Sequence, residues 1–358
     1  MTRTPLTVRV VKVIRETADA HSFVLEPDSG AAERFRYRSG QFLTLRVPSD
    51  RAGGSVARCY SLCSSPDRDP HLKVTVKRTA GGYASNWICD HVTEGDVLEV
   101  LRPAGTFTPR SLDEDLLLCA AGSGITPVLS ILTSCLHSGT GSVTLLYANR
   151  DEQSVIFRDE LAALAREYGG RLTVVHWLES VQGRPTPAGL RALVRPYADR
   201  PAFVCGPGPF MDLATEALPR LGVPPDRVTV ERFTSLATDP FSATDPIAAT
   251  DSIAATDPEP EAEAAGPAGT VEVQLDGGTR TLAWPRNRKL LDVLLAAGLD
   301  APYSCREGNC SACACVVVDG EAVMERNEVL DAADLADGLL LACQALPVSD
   351  RLRVTYDA

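Results

Sequence analysis

The stretch Ser304-Cys305-Arg306-Glu307-Gly308-Asn309-Cys310-Ser311-Ala312-Cys313-Ala314-Cys315, answered further on by Cys343, decides how the C-terminal part of the chain folds. Its spacing, C-x4-C-x2-C with a distant fourth Cys, is a ligand pattern of [2Fe–2S] clusters. Two irons need four converging thiolates. A tight loop can supply Cys305, Cys310 and Cys313, and a returning strand brings Cys343. Small residues between the ligands let backbone N–H groups approach the sulfurs, which is one lever on cluster potential. A zinc knuckle or a Cys-rich structural loop is the competing reading. Zinc sites usually pair C-x2–4-C with a second such pair or with histidines, and no histidine follows His176.

The flanking sequence predicts a small α+β domain over residues 270–358. Val271–Leu275, a Gly277-Gly278 turn and Arg280–Trp284 read as a hairpin, Lys289–Ala297 as a helix, and Cys315–Val318 and Leu352–Tyr356 as strands. Upstream, Thr-Asp recurs at 238, 244, 250 and 256. Asp239, Asp245, Asp251, Asp257, Glu259, Glu261 and Glu263 face no Lys or Arg between Thr238 and Gly269. A polar repeat with no apolar face cannot bury a core, so residues 238–269 read as a disordered, charge-extended linker.

Residues 111–237 alternate strands with helices. The strands are Leu116–Ala120, Val143–Tyr147, Leu172–Trp177, Ala202–Val204 and Val228–Val230, and the helices are Pro127–Leu136, Phe157–Tyr168 and Phe210–Leu218. Apolar strands alternating with helices predict a parallel, doubly wound α/β sheet. Residues 1–110 instead carry short β-rich runs, namely Thr7–Ile14, Ser22–Glu26, Phe42–Val47, Ala57–Leu62, Leu72–Lys77 and Val97–Leu101, with one helix at Ala84–His91. That rhythm predicts an antiparallel β-barrel. The chain is therefore read as multidomain.

At 358 residues the chain can bury two or three cores, and 44% hydrophobic with 23% charged residues is the balance of a globular protein. A net charge of −12 argues against nucleic acid or an anionic membrane as partner. No apolar run approaches the ~20 residues of a membrane span, and Met1-Thr2-Arg3-Thr4-Pro5 lacks the apolar core of a signal peptide. A cytoplasmic protein is expected. Of eleven Cys, those at 59, 63, 89, 119, 135, 205 and 315 lie outside the ligand set in apolar contexts, where buried thiols are expected rather than disulfides.

Other motifs bear on chemistry. Arg58-Cys59-Tyr60-Ser61 lies on a predicted strand, and Gly81-Gly82-Tyr83-Ala84-Ser85 opens a helix whose N-terminus suits a pyrophosphate. An ordinary barrel strand and a capped helix would look the same. Gly122-Ser123-Gly124-Ile125-Thr126-Pro127 follows a strand and opens a helix, the setting of a phosphate-binding turn. A second turn, Cys205-Gly206-Pro207-Gly208-Pro209, follows a later strand of the same sheet. Either could be a mere connection, but both lie where open α/β sheets bind ligands. After a further strand comes Ala148-Asn149-Arg150-Asp151-Glu152, where an acid favours a free ribose 2′-hydroxyl and Arg a 2′-phosphate. Histidines 21, 71, 91, 137 and 176 form no ligand spacing, and no Ser/His/Asp set stands out.

In this order, R-x-Y-S, G-x-x-S, G-S-G-I-T-P, C-G-P and C-x4-C-x2-C…C resemble the ferredoxin–NADP⁺ reductase superfamily, and within it oxygenase reductases with a C-terminal plant-type ferredoxin domain. The resemblance spans all but the linker. It implies an FAD-binding barrel (1–110), an NAD(P)-binding domain (111–237) and a β-grasp-like [2Fe–2S] ferredoxin domain (270–358) that serve a terminal iron-containing oxygenase. By the same resemblance Arg58 would hold the FAD pyrophosphate, Tyr60 would pack on the flavin, and Ser61 would lie near its N5. Val76 and Lys77 would flank the ribityl chain, and Gly82 and Ser85 would bind phosphate. Gly122, Gly124 and Thr126 would cradle NAD(P)H, with NADH as the expected cofactor and Asn149 and Arg150 nearby. Cys205, Gly206 and Pro207 would sit by the nicotinamide, and Glu231 and Phe233 by the flavin. Ser61, Cys205 and Glu231 would be the catalytic group. Ser311 departs from many relatives, which carry Gly there. Which oxygenase is served stays open, a phenylacetyl-CoA or ring-hydroxylating system among the alternatives. A redox-sensing or electron-storage module is the reading from a second class.

Overall fold

The computed structural model describes residues 6–50, 54–236, 239–241, 269–330 and 332–357. The linker expected over 238–269 and the N-terminal reading at residues 1–5 fall almost wholly outside these. The chain forms two compact units, one of Leu6–Val47 with Arg58–Ser235 and the other taking in the described residues after Ser235.

In the first unit, strands β1 (Leu6–Arg15), β2 (Ala20–Pro27), β3 (Phe42–Pro48), β4 (Ser55–Ser61), β5 (Leu72–Lys77) and β6 (Val97–Val100) form one sheet, with helix α1 (Tyr83–His91) between β5 and β6. The order is β4-β3-β6-β1-β2-β5, and the pairings of β1 with β2 and β6, β2 with β5 and β3 with β6 are antiparallel. An antiparallel bridge from Leu62 to Val74, with the Cys63 N–H donating to the Lys73 carbonyl at 2.8 Å, joins the two ends of that order. Among the described residues this one bridge closes the barrel.

The same unit continues through β7 (Leu116–Ala121), α2 (Ile125–Ser138), β8 (Val143–Asn149), α3 (Arg158–Glu167), β9 (Leu172–Leu178), α4 (Glu179–Gln182), α5 (Pro187–Val194), β10 (Ala202–Cys205), α6 (Gly208–Ala217) and β11 (Val228–Glu231). The sheet is parallel, in the order β11-β10-β7-β8-β9. Strand β7 shows why it is doubly wound. Leu116, Leu118 and Ala120 pack toward α2, while Leu117, Cys119 and Ala121 pack with α5 and α6. A strand covered on both faces has no polar alternation to show. Helix α5, which the sequence reading missed, is short. It starts at Pro187 with Thr186 accepting from the Gly189 N–H, a local capping signal rather than a long period.

Helix α2 ties barrel to sheet. Twelve of its residues, Ile125 to Leu136, are buried, and its core includes Ala20, Cys63 and Phe107 from the barrel side. Phe107 meets Phe203 of β10 edge-on at 5.2 Å between centroids. Ser130 Oγ donates to the Ser64 carbonyl at 2.6 Å, and the hydroxyls of Ser134 and Ser65 lie 2.9 Å apart. Lys73 of β5 pairs with Glu160 of α3 at 2.9 Å.

The second unit holds β12 (Gly269–Leu275), β13 (Gly278–Trp284), α7 (Leu290–Ala296), β14 (Ala314–Asp319), β15 (Ala322–Met324), α8 (Ala332–Ala336), β16 (Leu339–Leu341), β17 (Ala345–Pro347) and β18 (Arg351–Thr355). Its main sheet runs β13-β12-β18-β14-β16, with β15 and β17 as a separate ribbon. The parallel pairing of β12 with β18 brings the two ends of this unit together. Trp284 is fully buried over Leu290, Leu291 and Leu294, its indole N–H donating to the Arg288 carbonyl at 2.7 Å. The expected hairpin, helix and flanking strands are present within a residue or two. Strands β15, β16 and β17 and helix α8 are short and were not anticipated. Among the described residues no helix is long and apolar enough to cross a membrane.

The C-terminal end of α2 depends on one cation. Arg171 donates to the carbonyls of Cys135, Leu136, Gly139 and Gly141 at 2.7–3.0 Å, filling acceptors a helix end leaves open. Arg171→Met should cost on the order of 2–3 kcal/mol, read as an earlier urea midpoint in far-UV circular dichroism. An unchanged midpoint would refute this role.

Candidate functional site

Each unit gathers one set of the residues singled out in the sequence. In the second unit the loop between α7 and β14 carries Cys305, Cys310 and Cys313, and Cys343 follows β16. Arg306, Gly308 and Ser311 take positive φ of 58°, 77° and 52°. This left-handed backbone costs a non-glycine residue about 1 kcal/mol or more, so Ser311 carries a strain that Gly would not. The folded loop turns its N–H groups inward. Those of Glu307 and Asn309 each donate to Cys305 Sγ at 3.3 Å, that of Cys305 to Cys310 Sγ at 3.3 Å, and that of Cys343 to Cys313 Sγ at 3.4 Å.

The thiols of Cys310 and Cys343, together with these N–H donors, hold Cys305 well below the ordinary thiol range. Contact with Cys305 and Cys313 pushes Cys343 above it. Among the described residues no group of three or more His, Cys, Asp or Glu is disposed to hold a single metal ion. The four are instead linked in a row, Cys310 to Cys305, Cys305 to Cys343 and Cys343 to Cys313. Four soft donors ringed by N–H groups fit a [2Fe–2S] group better than a lone cation.

In the first unit the C-terminal edge of the parallel sheet collects the other set. Cys205 pairs in register with Ala120 on one side and Glu231 on the other, and Ala121 pairs with Ala148, which precedes Asn149. Gly122 has φ of 52° and its carbonyl accepts from the Tyr147 hydroxyl at 3.0 Å. At Gly124 an added Cβ would lie 2.1 Å from the Cys205 carbonyl oxygen and 2.6 Å from the Gly206 nitrogen. The two Gly-containing turns are therefore in backbone contact, a closeness that the bare strand order could not reveal. Thr126 is buried with its hydroxyl donating to the Ser123 carbonyl at 3.0 Å, and Pro207 caps the start of α6. Asn149 is buried, and neither atom of its amide has a hydrogen-bond partner of ordinary geometry. A buried amide held only loosely, by the Tyr147 hydroxyl, beside a phosphate-type turn fits a nucleotide ligand.

Glu231 keeps part of its surface accessible, yet its apolar surroundings push the carboxyl up to about 8. Burial raises the Cys205 thiol well above its ordinary range, with Glu231 adding to it. Phe233 is 49% exposed.

The barrel contributes β4, which carries Arg58, Tyr60 and Ser61, the last buried. Gly82 precedes α1, where an added Cβ would lie 2.9 Å from Thr79 Cβ. Ser85 Oγ accepts from the Thr79 N–H at 3.1 Å, so the turn is closed by its own side chain. Val76 is fully buried, which leaves only its backbone to face a ligand. Lys77 approaches the phosphate turn, its Nζ 3.7 Å from the position of a Cβ on Gly122, and Asp19 lies 3.9 Å from it. Sequence reasoning missed Asp19, which also pairs with Arg150 at 3.3 Å. Asp151, weighed as a reader of the ribose, is committed elsewhere. Its carboxylate accepts from the Ser154 N–H at 2.8 Å in a capping box.

Family models match the three parts: an oxidoreductase FAD-binding domain over 7–108, an oxidoreductase NAD-binding domain over 118–216, and a 2Fe-2S iron-sulfur cluster binding domain over 273–348. The chain is 57% identical to the ferredoxin reductase component of 3-ketosteroid-9-alpha-monooxygenase from Mycolicibacterium smegmatis, over 98% of this chain and 97% of that one. It is 34% identical to one of the subunits of 1,2-phenylacetyl-CoA epoxidase from Escherichia coli, over 98% and 97%. The solved structure of phthalate dioxygenase reductase is similar with a TM-score of 0.54 and 26% identity, covering 98% of both chains.

Gly124→Ala should force the two turns apart and lower kcat/KM for NADH about 100-fold with FAD content unchanged, measured with ferricyanide as acceptor. Wild-type kcat/KM in that variant would mean the contact does not shape the nucleotide site.

Proposed function

The chain belongs to the family of ferredoxin reductase components of 3-ketosteroid-9-alpha-monooxygenase, and on that premise we propose that its oxygenase partner is a Rieske-type steroid hydroxylase in steroid and cholesterol catabolism. The chain is an oxidoreductase with FAD-binding, NAD-binding and 2Fe-2S domains, the reductase component of a monooxygenase. The observation that supports the steroid reading is 57% identity carried through nearly the full length of both chains. The same reading puts the protein in the cytoplasm, keeps nucleic acid and membrane out of its partners, and divides the chain at 110/111 and on either side of 238–269.

A hydride brings two electrons where a [2Fe–2S] group takes one, and FAD, when bound, supplies that conversion. The chain's own residues position the carriers. In our reading Arg58 and the α1 start with Gly82 and Ser85 hold the FAD phosphates, Tyr60 and Phe233 cover the flavin ring, Ser61 faces its reactive edge, and the Val76 backbone with Lys77 borders its side chain. Gly122, Gly124, Thr126, Asn149 and Arg150 hold the nucleotide, and Gly206 and Pro207 seat the nicotinamide beside Cys205. The Glu231 carboxyl, pushed up to about 8, keeps its proton at neutral pH and so can donate a hydrogen bond or a proton. Cys305, Cys310, Cys313 and Cys343 hold the cluster.

A preference for NADH over NADPH agrees with Arg150 being engaged by Asp19. It is expected as the higher kcat/KM, and a higher value for NADPH would overturn it. Cys310→Ser replaces a soft thiolate with a hard, poorly ionised hydroxyl and should lose the cluster. That variant should keep FAD and reduce ferricyanide at about the wild-type rate, yet fail to drive steroid hydroxylation by reconstituted oxygenase. Arg58→Ala with Tyr60→Ala should lose FAD and both activities while keeping the cluster spectrum. Hydroxylation by a cluster-free Cys310→Ser chain would show FAD to be the direct donor. Reconstitution with a phenylacetyl-CoA epoxidase oxygenase in place of the steroid enzyme tests the partner.

A further inference from the structure

The four thiols of the cluster loop are not hydrogen-bonded alike. Cys305, Cys310 and Cys313 each accept from backbone N–H groups, donors that no substitution other than proline removes. For Cys343 the one nitrogen donor among the described residues is a side chain: Gln344 Nε2 lies 3.6 Å from Cys343 Sγ.

That amide is fixed in place. Gln344 is 8% exposed, and its Nε2 also donates to the Arg306 carbonyl at 2.9 Å. An NH₂ group has two hydrogens, so one is held by the loop and the other is left for the sulfur. Both neighbours are acceptors, so turning the amide over would set oxygen against oxygen and sulfur. The backbone is held as well. The Gln344 N–H donates to the Leu341 carbonyl at 2.9 Å, and its own carbonyl accepts from the Glu325 N–H at 3.1 Å and Lys289 Nζ at 3.3 Å. Its stem packs on Gly308, where an added Cβ would come within 3.2 Å of Gln344 Cγ. Arg306, whose carbonyl it grips, is itself anchored by an ion pair with Asp292 and by its guanidinium 5.6 Å over the Tyr303 ring.

We propose that Gln344 is a positioning residue that raises the reduction potential of the cluster by hydrogen-bonding the Cys343 sulfur. One electron enters, donated from NADH through FAD; no bond forms or breaks and no proton moves. Negative charge on the sulfurs grows, so an N–H aimed at one of them stabilises the reduced form more than the oxidised form. Because the donor is a side chain, this contribution can be altered without rebuilding the loop. The proposal rests on Cys343 being a ligand.

The test is a redox titration of the full chain with FAD and cluster bound, the cluster followed by electron paramagnetic resonance. Gln344→Met keeps the length of the side chain and removes the donor; Gln344→Glu keeps its shape and turns an acceptor toward the sulfur. Both should carry a full complement of cluster with its potential moved to more negative values, further in the Glu variant, while the FAD potential stays in place. An intact cluster in Gln344→Met with wild-type potential would overturn the proposal. Cys343→Ser tests the premise separately, since an unchanged cluster spectrum there would remove Cys343 from the ligand set. The unaltered chain gives an answer that does not depend on variant assembly. With ¹⁵N at the glutamine side-chain amide, pulsed resonance of the reduced cluster should show a nitrogen coupling, and its absence would overturn the assignment.

Discussion

Helix α2 has almost no solvent face, and the first unit is arranged by that constraint. One side covers the parallel sheet through Val128, Leu129 and Leu132, and another meets the barrel through Ser130 and Ser134. Arg171 binds its last carbonyls. A helix held on every side cannot shift without opening a core, and fully burying a Leu or Val is worth about 1.5–3 kcal/mol each. The turn Gly122–Gly124 leads directly into this helix, so the place where a nucleotide phosphate would rest inherits the rigidity of a core element. Lys77 reaches that turn from β5 because the barrel is bonded to the same helix.

Eleven chemically identical thiols are sorted by their surroundings. Burial alone pushes Cys119 up to about 12. It does the same for Cys63 and Cys135 against the opposing pull of Lys73 and Arg171, and takes Cys89 to about 11. Such thiols stay protonated and inert at neutral pH. In the cluster loop, N–H groups and neighbouring sulfurs act the other way on Cys305. Among the described residues no Cys is in a disulfide. The sulfur of this chain is thus divided between thiols sealed in apolar cores and one loop whose N–H groups face the sulfurs.

The 2Fe-2S domain could be read directly because its signal is the covalent spacing of cysteines, which tertiary structure does not alter. The barrel strands and the doubly wound sheet were legible from period and turn residues, with strand ends moved by a residue or two, as where β8 extends to Asn149. Short elements were not: β15 and β17 are three residues each and exist by pairing with one another. Roles set by direction were hidden too. Val76 lies on a predicted strand beside Lys77, but only the structure shows its side chain spent on the core. Asp151 reads as an acid near a ribose until its carboxylate is seen to cap a turn. Gln344 directly follows Cys343 and carries no motif; its meaning lies in the direction of two hydrogens.

The strand order β11-β10-β7-β8-β9 has a consequence for synthesis on the ribosome. Strand β7 is made early and finds β8 soon afterwards, yet its other neighbour, β10, begins only at Ala202. A nascent chain that has released β7, α2 and β8 holds the first glycine turn with one flank of the sheet missing. The Cys205–Gly206 wall that closes against Gly124 arrives after β9 and α5 have emerged. Domains generally fold as units during synthesis, and here the contact between the two turns cannot form until β10 has been made. A half-made chain therefore presents an open sheet edge at β7 rather than a nucleotide pocket, and nucleotide can help to hold this unit folded only once translation has passed β10.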